Sequence, residues 1–297
     1  MANTGMGGGY GPGGGPQSGP GSTEYWQAMA DSAERETRRR RMLRIVAVAA
    51  GAVVLGGGAL ALALTMSDDG PTPRAQQSSS APPPEPATVT PKLTLGPTAK
   101  LDTATGHEGQ SLLLGGTPQG FAESETGAVD TGADFTVSAL VRIDVDTTPK
   151  AAVSQNGTQF FSFFLGRDDA SDKLRNRWVF KVQTDSEIAK SATAASQAEA
   201  VTGRWTLLTG VYSKKDGTIS LYVDGVLAQT SEAPRVLAST GPLEFGRIRY
   251  SGLWVKPWNG AIADVRVWKK ALTAEQVDAV RSAGKDAPSP FARFVAP

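Results

Sequence analysis

The amino-acid sequence predicts an all-β domain, a sandwich or a barrel, set behind one membrane-spanning helix. Three observations carry this. Beyond Leu93 apolar and polar residues alternate with period two, the mark of strands with one buried face. The alternating runs are short and divided by turn chemistry, and only one segment carries helix signals, so the βα alternation of a parallel sheet is missing. Upstream, the stretch from Ile45 to Leu64 is apolar throughout and uncharged.

Composition bounds the chemistry. In 297 residues, 30 Lys and Arg nearly balance 29 Asp and Glu, so no long-range field selects a nucleic acid and none is expected as a partner. The chain has no cysteine, which removes disulfides, thiolate catalysis and thiolate metal sites together. A domain of about two hundred residues can be stabilised by packing alone.

Residues 1–41 read as a cytoplasmic tail. From Met1 to Gly21 glycine and proline dominate, and such a segment cannot bury enough surface to offset ordering its backbone, so disorder is expected. Arg38, Arg39, Arg40, Arg41 and Arg44 form a basic juxtamembrane cluster. Residues 42–66 read as the transmembrane helix, since twenty residues from Ile45 to Leu64, at about 1.5 Å each, match the roughly 30 Å hydrocarbon core. With Asp68 and Asp69 on the far side, the positive-inside rule gives a single-pass type II topology in the cell membrane, N-terminus inside and C-terminal domain extracytoplasmic. A cleaved signal peptide is the competing reading, because Ala59-Leu60-Ala61 and Ala61-Leu62-Ala63 have small-x-small spacing. The apolar core is longer than a secretory one, and 44 residues precede it. Residues 67–92 are rich in Pro, Ser, Gln and Ala, including Pro82-Pro83-Pro84, and read as an extended extracytoplasmic linker.

Residues 93–297 form the expected globular domain. In Phe135 to Val145, Phe135, Val137, Ala139, Val141, Ile143 and Val145 share one face, with Leu140 the exception on the other. Further strands are expected over 159–167, 178–184, 205–212, 219–223, 226–230 and 262–268. Asp216-Gly217 and Asp224-Gly225 supply the positive-φ residues of tight hairpins, the second lying directly between Tyr222-Val223 and Val226-Leu227. Thr273-Ala274-Glu275-Gln276 has capping-box spacing, followed by Val277 and Val280, and predicts one short helix.

A family resemblance decides between sandwich and barrel. Gly203 to Tyr212 (GRWTLLTGVY), followed by Gly217 to Leu227 (GTISLYVDGVL), closely resembles the central signature of laminin-G-like, concanavalin A-like lectin/glucanase jelly-roll domains. Gly260 to Trp268 and Lys270 to Val277 look like that family's last strand and closing helix, and Asp134 to Arg142 is similar to its early strand, with Leu140 where a tryptophan is usual. The resemblance spans about 93–284. It implies a two-sheet antiparallel jelly-roll sandwich, and together with the apolar span the chain reads as a bacterial, single-pass membrane-anchored protein.

Catalysis has little to build on. His107, the only histidine, lies in a Gly106-to-Gly109 segment that reads as a loop, with no partnered nucleophile nearby. Asp144 with Asp146, and Glu123 with Glu125, could each share a strand face, but no run of three alternating carboxylates appears of the kind that glycan-hydrolysing relatives carry. No catalytic residue is assigned. The chain is expected to be a binding module for a carbohydrate or a protein at the cell surface; a glycan-active enzyme and a structural envelope component are the alternatives. The resemblance leaves calcium open as a ligand. Asp168-Asp169-Ala170-Ser171-Asp172 is acidic but lacks the glycine and distal glutamate of an EF-hand loop, and Ala263, beside Asp264, stands where many relatives carry a further aspartate.

Exposed aromatics would serve binding best. Tyr250, Trp254, Trp258 and Asn259, interrupted by Gly252 and Pro257, read as a loop before the last strand and are the candidate ligand-binding residues, with Trp258 also placed to plug the sandwich end. Trp178, Trp205, Tyr222 and Trp268 fall within strands and are expected in the core. Phe160, Phe161, Phe163 and Phe164 cover both strand faces, which calls for burial between layers or a concave apolar surface.

Overall fold

The computed structural model describes residues 87–125, 129–145, 147–148 and 150–296. The expected tail and membrane span, and the linker up to residue 86, lie outside these; among the described residues no helix is long and apolar enough to cross a membrane.

The described chain folds as two antiparallel sheets packed face to face. One sheet runs in the order β1 (Leu93–Leu95), β4 (Ala122–Ser124), β13 (Leu243–Phe245), β6 (Lys150–Asn156), β7 (Phe161–Asp168), β8 (Arg177–Gln183) and β9 (Ser191–Glu199). The other runs β12 (Val226–Glu232), β11 (Thr218–Val223), β10 (Trp205–Ser213), β5 (Phe135–Ile143), β16 (Asn259–Trp268), β3 (Gln110–Gly115) and β2 (Lys100–Thr103), with β17 (Ala292–Phe294) added beside β16. Neither sheet contains β14 (Ile248–Tyr250) or β15 (Leu253–Val255), which pair with each other.

The period-two pattern of β5 does what it predicts: Phe135, Val137, Ala139, Val141 and Ile143 are wholly buried between the sheets. Val145 lies past the strand end and is exposed, because pairing stops at Ile143. Opposite β5, Phe163 and Phe180 come from the other sheet, their ring centroids 5.0 and 6.1 Å from that of Phe135, with Tyr212 at 5.6 Å. A Cβ on Gly210 would sit 2.5 Å from the Phe180 ring, so glycine is needed for that ring to lie against β10.

The hairpin at Asp224-Gly225 forms as expected, with φ of 50° and 82° at the two turn residues. The single predicted helix is α1 (Ala274–Arg281). Its capping box is complete: the Thr273 hydroxyl accepts from the Gln276 amide at 3.3 Å, and the Gln276 side chain accepts from the Thr273 amide at 3.1 Å. Val277 and Val280 press onto Val211, Tyr222 and Trp268 on the outer face of the larger sheet. Asp264 sits at a bulge in β16 with φ of 45°, its carboxylate held by Arg266 and Arg293, which gives that residue a structural role.

The outer face of the seven-stranded sheet is apolar at its centre. Phe163 and Leu165 point inward, while Phe161 and Phe164 join Ala151 and Val179 on the outside. The β14–β15 hairpin covers them with Ile248, Tyr250 and Val255. Of the two outcomes expected for the phenylalanine cluster, burial between layers is the one found. Upstream of the strands, Val89 bridges Ala292 in parallel and the Thr88 hydroxyl donates to the Pro290 carbonyl at 2.7 Å, so chain preceding β1 is clamped to β17.

Gly260 has φ of 138°, and a Cβ there would lie 2.0 Å from the Arg142 carbonyl oxygen of the paired strand. Gly260→Ala is therefore expected to destabilise the domain by about 3 kcal/mol or more. Denaturant unfolding checks this; a loss under about 1 kcal/mol would mean that β16 and β5 can part at little cost.

Candidate functional site

The segment expected as a loop is a two-stranded hairpin. Ser251 and Gly252 at its tip both have positive φ, 48° and 74°, and the strands register as Ile248 with Val255, Arg249 with Trp254 and Tyr250 with Leu253. Alternation therefore splits the hairpin into two faces. Ile248, Tyr250 and Val255 turn toward the sheet, while Arg249 and Trp254 turn outward.

The four predicted binding residues are separated by this geometry. Trp258 is fully buried in the core between the sheets and is no surface residue. Asn259 opens β16, where its carbonyl accepts from the Asp144 amide at 3.0 Å and its side chain crowds the space a Cβ on Gly116 would need. Tyr250 stacks edge-on against Phe160 at 5.5 Å. Trp254 alone is presented outward.

Sequence reasoning missed what surrounds Trp254. The Arg247 guanidinium carbon lies 3.9 Å from its ring centroid and that of Arg249 lies 4.0 Å away, so both groups stack on the indole. Arg247 is stacked in turn at 3.3 Å on Phe121, giving a four-layer pile of Phe121, Arg247, Trp254 and Arg249. The Glu244 carboxylate receives Arg247 Nε at 3.2 Å and Nη2 at 3.0 Å. The alternation of Arg247, Ile248, Arg249 and Tyr250, ending on Ser251-Gly252, was a hairpin signal available in the sequence.

Beneath this pile two carboxyl groups meet across strands. Glu244 of β13 is the register partner of Glu123 of β4, so the pair expected along one strand, Glu123 with Glu125, is replaced by one formed between strands. Burial pushes the Glu244 carboxyl up to about 7; Arg247 opposes that rise, and the neighbouring Glu123 carboxyl adds to it.

The hairpin is fastened at its far end by ions. Lys256, just past β15, has φ of 56° and places Nζ 3.0 Å from Asp168 Oδ1, while Lys181 Nζ approaches Asp168 Oδ2 at 3.3 Å. Burial alone would raise the wholly buried Asp168 carboxyl, but the two ammonium groups outweigh it and hold the group far below the usual carboxylate range.

These pairings bear on calcium. Asp169 is paired with Arg167 at 2.8 Å and Asp172 with Arg175 at 2.9 Å, so every aspartate of the 168–172 segment already faces a cation. Asp264 is likewise held by arginines. Among the described residues no group of three His, Asp or Glu side chains converges, and the segment does not fit the six to eight free oxygens that calcium wants. Of the pair weighed for catalysis, Asp144 receives both Nε and Nη2 of Arg142, at 2.8 and 3.1 Å, and Asp146 lies outside the described residues. Trp205, expected in the core, sits instead on the outer face of the larger sheet against His107, centroids 5.1 Å apart, and donates Nε1 to the Thr105 carbonyl at 2.9 Å.

Two stability tests follow. Asp168→Ala leaves two half-buried ammonium groups unpaired and is expected to cost about 3–5 kcal/mol, with faster amide exchange over 248–255; protection unchanged there would show that the ion cluster does not fasten the hairpin. Because the Glu244 pKa is raised on folding from 4.5 to about 7, its contribution is complete below 4.5 and lost as pH rises through 7. The melting temperature is expected to fall across that window, and Glu244→Gln to flatten the fall; an identical profile in the variant would remove Glu244 as its source.

Residues 114–278 match the Laminin_G_3 family model, described as the concanavalin A-like lectin/glucanases superfamily. No curated protein matches the sequence. Among solved structures, a heptameric SAP-like pentraxin from Limulus polyphemus is 19% identical with a TM-score of 0.46, the match covering 60% of this chain and 84% of that one. Domain 4 of an extracellular arabinanase from Geobacillus stearothermophilus, in complex with arabinotriose, is 19% identical with a TM-score of 0.48, covering 64% of this chain and 87% of that one. The ligand-binding domain of botulinum neurotoxin serotype D, in complex with N-acetylneuraminic acid, is 13% identical with a TM-score of 0.47, covering 65% of this chain and 46% of that one.

Proposed function

This chain belongs to the concanavalin A-like lectin/glucanase superfamily, and from that footing we propose that it is a membrane-anchored, extracytoplasmic module that binds carbohydrate at the cell surface and catalyses no reaction. The observation that carries this is the outward face of the β14–β15 hairpin. It belongs to neither sheet, and it presents Trp254 and Arg249 in a stack whose inner layers are fixed by Phe121 and by the Glu244 ion pair. Side chains immobilised before a ligand arrives lose little entropy on binding, which suits recognition of small polar rings.

Two further points support a binding role over catalysis. Of the carboxylates weighed for catalysis, Asp144 is engaged by Arg142, and Glu123 stands opposite Glu244, whose enclosed side chain is paired with Arg247. Retaining hydrolysis would need two carboxyls about 5 Å apart on an open surface. The membrane anchor rests on the sequence, with the arginines at 38–41 and 44 preceding the apolar run and aspartates following it.

The full-length chain on a glycan array is expected to bind a defined set of saccharides, and Trp254→Ala to weaken binding about tenfold or more. Retention by proteins alone, with an empty array, would turn the reading to a protein partner. External protease on intact cells is expected to digest the domain; a domain left whole while known outward-facing proteins are shaved would overturn the proposed location.

A further inference from the structure

The stack holds one arginine whose charge the fold leaves without a carboxylate. Among the described residues nine of the eleven arginines pair with an Asp or Glu, and Arg177 and Arg249 do not. Arg177 is tied to the Gln197 carbonyl at the sheet edge. Arg249 differs in being stacked on an indole at the outer end of the pile.

Its orientation is set from three sides. The Arg249 amide donates to Asn156 Oδ1 at 2.9 Å, its guanidinium lies on Trp254, and Nη1 donates to the Gly252 carbonyl at 2.6 Å. Those contacts use Nη1 and the ring face, and among the described residues none takes up the Nε–Nη2 edge. That edge is the one this protein uses for its own carboxylates: Nε and Nη2 of Arg142 grip Asp144, those of Arg247 grip Glu244, and those of Arg266 grip Asp264. A planar fork matches a carboxylate with two parallel hydrogen bonds, and partial burial strengthens them. Beside it lie the Ser251 tip and the Gln159 amide, whose Oε1 would be 3.3 Å from a Cβ on Gly252; both can meet hydroxyl groups.

Resting on the carbohydrate-binding reading above, we infer that the Arg249 fork is the anion subsite of this hairpin and that the saccharide it takes carries a carboxylate, as a uronate or a sialate does. Scale favours a sugar over an acidic protein. The polar groups beside the fork are few, Ser251 and Gln159, whereas a stable protein interface engages about twenty to thirty residues a side.

The test is titration of the full-length chain with polygalacturonate, with its fully methyl-esterified form and with a neutral arabinan, each against Arg249→Lys and Arg249→Gln. Expected are binding to the acid form that weakens with salt, a loss of roughly tenfold or more on esterification, a similar loss in Arg249→Gln, and an intermediate one in Arg249→Lys, which keeps charge without the fork. The acid–ester comparison uses unaltered protein, so it stands even where Arg249→Gln melts early. Equal binding of acid and ester, or an unaffected, folded Arg249→Gln, would overturn the inference. Binding of neutral glycans alone would overturn it while leaving the carbohydrate-binding reading intact; binding of polyglutamate with no saccharide, or no binding at all, would overturn both.

Discussion

The seventh strand is apolar on both faces, and most of the architecture answers to that. Phe163 and Leu165 point into the sandwich, where they meet Phe135 and Phe180; Phe161 and Phe164 point the other way and would lie in water if the molecule ended at its two sheets. Burying a phenylalanine is worth about 1.5–3 kcal/mol, so an uncovered outer face would be costly. The β14–β15 hairpin is the cover. Because strand alternation places every second residue on the side away from what is covered, that cover necessarily presents Arg249 and Trp254 outward.

Holding the cover in place is largely ionic and aromatic work. At one end Arg247 joins the hairpin to β13 through Glu244 and to Phe121 by stacking; at the other, Lys256 reaches Asp168, which Lys181 also approaches. Both carboxylates are removed from water, and in such places a pair is retained only with close hydrogen-bonded geometry, which these arginine and lysine contacts supply. Pairing with arginine, though not the full burial, recurs at Asp144, Asp169 and Asp264. Acidic residues that look like ligands for metal or chemistry in the sequence are, in the fold, the counter-ions of nearby arginines and lysines.

Aromatic residues divide along the same line. Trp178, Tyr222 and Trp268 are buried as strand positions imply, whereas Trp205, also on a strand, lies outward at the sheet margin with His107 and Arg142 around it. Trp258, four residues from Trp254 and indistinguishable from it by type, is in the core. Residue type fixes how much surface an indole would bury, and the path of the backbone fixes against what.

The sequence by itself determined the class of fold, the strands β5, β7, β8, β10, β11, β12 and β16, the Asp224-Gly225 turn and the capped helix, because each of these is decided by residues within a few positions of one another. It also offered Tyr250, Trp254, Trp258 and Asn259 as candidate binding residues, which the fold then separates. Only the tertiary structure decided that Arg247 and Arg249 both stack on the Trp254 ring, that Glu244 lies beside Glu123 and that Asp168 is shared by two lysines. Those groups are brought together from distant parts of the chain, 88 residues apart in the case of Asp168 and Lys256, and no local pattern of apolar and polar residues encodes which distant charge will stand opposite which.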